Sequence, residues 1–150
     1  GENKDMLEFA IWFHDLIYDA ASQTNEQESA TLAYDWLENR NVSYAQEVKR
    51  IIALSADYIS AQLTNETEKT FHDLDLAILG SPKVTYQEYA TNIRKEYKHM
   101  SDEEFNAGRA SFITKIIEKE IIFQTEAFHD MFEETARENM RDELEQLTQK

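Results

Sequence analysis

AIWFHDLIYD, residues 10–19, decides how the rest of the chain is read. The segment is apolar and long enough for about three helical turns, yet it carries a histidine, two carboxylates and a phenol where a plain core helix carries leucines. A helix from about Asp5 to Tyr18 places Leu7, Ile11, His14 and Tyr18 along one stripe, so His14 faces inward. Asp15 lies about 100° around the helix from His14, close enough for both side chains to converge on one small ion. A histidine on an apolar face is either a hydrogen-bonded core residue or a ligand, and the pair alone does not choose between these.

Around this segment the composition is that of one helical domain spanning residues 1–150. Hydrophobic residues make up 41% of the chain, with 8 Phe, 7 Tyr and 2 Trp, enough for a core. Against 15 Lys and Arg stand 30 Asp and Glu, and the formal charge of -15 repels nucleic-acid backbones and anionic lipid. A metal still allows a small phosphorylated ligand in a local pocket. With no Cys, disulfides, thiolate catalysis and Cys-ligated zinc are excluded. No apolar run has the length of a membrane span or a secretory signal, so the expectation is a soluble cytoplasmic protein with no membrane or nucleic-acid partner. Self-association into a homo-oligomer is compatible with the sequence and not specified by it. The chain opens on Gly, a few residues ahead of an apolar helix, which reads as a fragment boundary with an N-terminal helical segment missing.

With 3 Gly, 1 Pro and little period-two alternation, the chain reads as about six to seven helices joined by polar turns. A second helix follows Thr24 or Asn25 and turns Ala30, Ala33, Trp36 and Leu37 inward. A third, behind a Ser43/Gln46 capping box, carries Val48, Ile51, Ile52, Ser55 and Ile59. TNETEKT, residues 64–70, reads as a loop. Thr85/Glu88 and Ser101/Glu104 are further capping boxes, and a final helix of roughly Glu126 to Leu147 packs Phe128, Phe132, Ala136, Met140 and Leu144, with Asn139 at the edge of that stripe.

FHDLDLAILG, residues 71–80, is the second informative stretch. It is apolar nearly all round, so it is expected to be buried, and Gly80-Ser81-Pro82 stops it. Two carboxylates sit inside it, and a buried carboxylate costs several kcal/mol unless it is paired, hydrogen-bonded or cation-bound. Asp73 reads as a helix cap or an arginine partner, while for Asp75 ligand and structural roles stand level. Arg109 lies on the inward stripe of its helix, where a guanidinium takes a carboxylate partner or an anionic ligand. The acids of the two stretches are its candidate partners. His72, His99 and His129 read as surface residues.

Taken in order, WFHDLIYD, NEQESA, DLDLAILG, YATNIRKEY, FNAGR and ARENMRDEL resemble the predicted metal-dependent phosphohydrolases of the HD superfamily, in the bacterial branch with the DLAILG signature. The resemblance implies an all-α bundle with a divalent metal ion, Mn²⁺, Fe²⁺, Mg²⁺ or similar, bound by an early histidine, a His-Asp pair and a distal Asp. It assigns His14 and Asp15 as the pair and Asp75 as the distal ligand. Such a site supports hydrolysis of a small phosphorylated molecule, such as a nucleotide, by metal-activated water. Several HD hydrolases carry an acid after the pair; here Tyr18 stands at that spacing, leaving Asp19 or Glu26 to orient the water, residues that serve equally well as turn or capping groups. Arg109 would meet the phosphate. The chain departs from the family in having no His before His14, and Asp57-Tyr58 where relatives are expected to have Thr-His. Those departures motivate an alternative, a non-catalytic HD-like binding or assembly module whose core keeps the polar residues as a structural network.

Overall fold

The structure is a computed structural model that describes residues 1–149. Seven α-helices and one short 3₁₀ turn account for its regular structure, in the order α1 Glu2–Phe13, α2 Asn25–Glu38, α3 Ala45–Leu54, α4 Glu66–Leu76, the 3₁₀ turn Ala77–Gly80, α5 Lys83–Glu96, α6 Asp102–Ile117 and α7 Glu126–Thr148. Among the described residues there is no strand, as the absence of period-two patterning leads one to expect. No helix among them is long and apolar enough to cross a membrane. The contacts divide the chain into two compact units, Gly1–His72 and Asp73–Lys150, and the boundary falls inside α4.

In the first unit α2 packs against α3, and α1 lies against both. Ala10, Ala30, Ala33, Leu37, Val48, Ile51, Ile52 and Phe71 form its buried cluster. The small residues on facing helices let the backbones approach, and Phe9 and Phe13 set their rings against Trp36 at 6.1 and 5.6 Å. Glu68, 2% exposed, ties α4 to the loop before it and to α3. It accepts from the Thr64 amide at 2.7 Å and from Arg50 Nε at 2.7 Å. Burial pushes its carboxyl up, but the Thr64 and Arg50 hydrogen bonds outweigh that and leave it below the ordinary Glu value.

In the second unit α7 packs on the 3₁₀ turn and on α6. Gly80 permits the first of these contacts, because a Cβ there would lie 2.5 Å from Phe132 Cβ. Asn139, 6% exposed, donates to the carbonyls of Leu79 and Ser81 at 3.0 and 2.8 Å, satisfying groups that the end of a helical turn leaves open. Glu133 accepts from the amides of Ile122 and Phe123 at 2.8 and 3.0 Å, fixing the α6–α7 connection.

Several predicted bounds are corrected. α1 ends at Phe13, not Tyr18, because the turn after it is bonded to α2. Ser29 Oγ accepts from the Ile17 amide at 3.1 Å and donates to its carbonyl at 3.2 Å. Asn25 pairs in the same way with Asp19, at 3.0 and 2.7 Å. The stripe of Leu7, Ile11, His14 and Tyr18 therefore does not form, and Ile11 and Tyr18 are exposed. TNETEKT is not all loop, since α4 starts at Glu66, where Asn65 Oδ1 accepts from the Glu68 amide at 2.9 Å as an N-cap. The Ser43 and Thr85 capping boxes are absent, α3 being capped at Tyr44 and α5 starting directly after Pro82. The Ser101/Glu104 box is present.

Candidate functional site

Asp15 Oδ2 lies 3.1 Å from His14 Nε2, at the C-terminal end of α1. The ring's other nitrogen, Nδ1, is 2.8 Å from the Ile11 carbonyl, which can only accept, so Nδ1 carries a hydrogen. Nε2 then meets the carboxylate in one of two ways. Either it too is protonated, or its lone pair and the carboxylate share a cation. The 3.1 Å separation is a hydrogen-bond distance, and a divalent cation, if bound, would take Nε2 and Oδ2 as donors. A backbone carbonyl on the far ring nitrogen is also the usual outer contact of a metal-ligating histidine.

The local chain explains why the pair sits there. His14 caps α1, its amide bonding to the Ala10 carbonyl. Its ring packs edge-on against Phe71 at 5.6 Å. The Ser29 and Asn25 bonds pin residues 17–19 two positions further on. The His14 side chain is 19% exposed and that of Asp15 74%, so the pair opens outward from a packed base. The hydrogen bond and charge of His14 hold the Asp15 carboxyl below the ordinary carboxylate range.

Asp75 is half-buried in the last turn of α4. Asp19 is exposed and one of its carboxylate oxygens accepts from the Ala21 amide at 2.9 Å, a turn-forming bond. Glu26 is half-buried in the first turn of α2. Among the described residues no group of three or more His, Asp and Glu is arranged to hold a metal ion; the geometry that suits one is that of His14 and Asp15.

Asp73, fully buried, anchors the chain just ahead of α7 rather than capping its own helix. Its carboxylate accepts from the amides of Gln124 and Thr125 at 2.8 and 2.7 Å and from the Thr125 hydroxyl at 2.7 Å, at the N-terminus of α7. Arg109 takes Glu143 of α7 as its partner rather than an acid of either informative stretch. Nε and Nη2 donate to the two carboxylate oxygens at 2.8 and 3.1 Å, and Nη1 to the Tyr89 hydroxyl at 3.3 Å. Tyr86 donates its hydroxyl to the same Glu143. Burial and then the Glu143 carboxylate push the Tyr86 phenol up. Burial pulls Arg109 down, and its Glu143 and Tyr89 bonds more than reverse this. His72 is corrected to a core residue, 1% exposed, with Tyr58 edge-on to its ring at 4.9 Å.

The structural partners Ser29, Asn25, Thr125 and Glu143 were missed. Asn25 had a signal in NEQESA, read there as a cap; nothing local marks Glu143 among its acidic neighbours. No family model, curated protein or solved structure matches the chain.

Proposed function

We propose that the chain is a metal-dependent phosphohydrolase acting on a small phosphorylated substrate, with His14 and Asp15 as the core of its metal site. The observation that carries this reading is the 3.1 Å pairing of Nε2 with Oδ2 while Nδ1 is committed to the Ile11 carbonyl. When bound, a divalent cation supplies polarisation of a phosphoryl oxygen and acidification of water. Glu26 suits water orientation better than Asp19, which the Ala21 amide engages. Arg109 supports α6 and α7 through Glu143, and its part in phosphate binding is set aside.

Assaying hydrolysis of p-nitrophenyl phosphate and nucleoside monophosphates with Mn²⁺, Fe²⁺ or Mg²⁺, or with EDTA, tests this. Turnover is expected to need the metal and to vanish in Asp15→Ala with the helical circular dichroism unchanged. Undiminished turnover in that variant sinks the reading.

The second reading is a non-catalytic helical module, favoured by the use of buried acids elsewhere: Glu68, Asp73 and Glu133 all anchor backbone amides. Under it, a chelator leaves the melting temperature unchanged and Asp75→Asn leaves any metal content as it was.

A further inference from the structure

Both tryptophans of the chain line one open groove in the first unit. Phe9, Trp12, Phe13 and Leu16, from α1 and the turn after it, face Leu32 and Trp36 of α2 across a volume of about 470 Å³. Trp12 is 77% exposed and Leu16 59%, with Leu32 and Trp36 at 38%. Single exposed apolar residues are ordinary. A contiguous set with two aromatic anchors is the composition of a binding surface.

The rim indicates what would bind. Helical spacing sets Glu8 four residues before Trp12, and Glu28 and Asp35 on either side of Leu32. All three acids are exposed. The nearby cations are already engaged, Lys4 with Glu8 at 3.5 Å and Arg40 over the Trp36 ring at 3.7 Å. The Arg40 contact also demonstrates that this aromatic face accepts a guanidinium. A second copy would bring another charge of -15 to an acidic rim, which opposes self-association. We infer that the groove docks an amphipathic helix of a partner protein, its apolar stripe seated on Trp12 and Trp36 and its flanks carrying Lys and Arg.

Because the two tryptophans are the only ones present, intrinsic fluorescence reads the groove directly. The test titrates the full chain with a synthetic helical peptide whose Leu residues repeat at helical spacing among Lys. A saturable blue shift is expected, with no binding by the same Leu stripe set among Glu or by a Lys peptide with the stripe scrambled. Trp12→Ala, read through Trp36, and Leu16→Ser should each weaken binding by at least about tenfold. No shift, equal affinity for the Glu peptide, or full affinity in both variants overturns the proposal. So does a concentration-dependent dimer that buries the tryptophans without peptide.

Discussion

His14 and Asp15 are held 3.1 Å apart, with the far side of the imidazole bonded to the Ile11 carbonyl. The His14 amide closes α1 on the Ala10 carbonyl while its ring nitrogen Nδ1 meets the Ile11 carbonyl, and together these bonds fix Nε2 beside Oδ2.

That relationship makes the Asp15 carboxyl titrate below its ordinary value of about 3.9. The sign follows from linkage. A lowered carboxyl contributes stability above its unfolded pKa, and that contribution is lost as the pH falls through the folded one. Since Asp15 is largely exposed, its effect on stability is small and the titration itself is the observable. Carbon-detected NMR of the Asp15 carboxyl should show the low midpoint in the wild type and its return toward the ordinary value in His14→Ala. Equal midpoints would show that His14 is not its partner.

Removing the Asp73 carboxylate is expected to be costly. Asp73→Ala leaves the Gln124 and Thr125 amides without their acceptor, and hydrogen bonds to charged groups contribute about 1.5–3 kcal/mol each. Urea unfolding should show a loss of about 3 kcal/mol or more, with Asp73→Asn intermediate because one acceptor oxygen remains.

Arg109 and Glu143 should be strongly coupled. Their side chains are 7% and 11% exposed, and stranding either charge is expected to cost about 3–5 kcal/mol. Arg109→Met with Glu143→Leu should cost much less than the two single losses added. A double-mutant cycle in urea checks this, and simple additivity would mean the pair is not a unit.

Gly80→Ala is expected to destabilise the chain, since the new methyl would meet Phe132 Cβ at 2.5 Å and its carbonyl oxygen at 2.9 Å. Overpacking of this kind costs about 1–3 kcal/mol. Gly108→Ala, facing open space within α6, should instead stabilise by up to about 1 kcal/mol. Thermal melts of the two variants should move in opposite directions.

The helices were legible where one signal spoke alone. The spacing of Phe128, Phe132, Ala136 and Met140 placed α7 within a residue of its observed end, and Ser101 with Glu104 marked the start of α6. Where local signals competed with distant partners they misled. The apolar pattern continued past Phe13, but Ser29 and Asn25 draw residues 17–19 out of the helix through backbone bonds that no periodicity records. Asp73 reads as a cap for its own helix or an arginine partner, and instead it binds the amides of Gln124 and Thr125 just ahead of α7, some fifty residues further along the chain. The His14–Asp15 adjacency was visible as a dipeptide; the Ile11 carbonyl that fixes the ring was not, because it depends on His14 lying at the helix end.

The most direct test of the central claim is calorimetric titration of Mn²⁺ into the chelator-treated protein, in buffers of different ionisation enthalpy, for the wild type, His14→Ala, Asp15→Asn and the control Asp19→Asn. One site is expected, with proton release wherever a ligand has to deprotonate to bind the metal. That site should be lost in the first two variants and kept in the third, and its occupancy should raise stability by about 2.7 kcal/mol at a hundredfold excess of metal over the dissociation constant. Weak binding spread over many sites, unchanged by His14→Ala and Asp15→Asn, would contradict it.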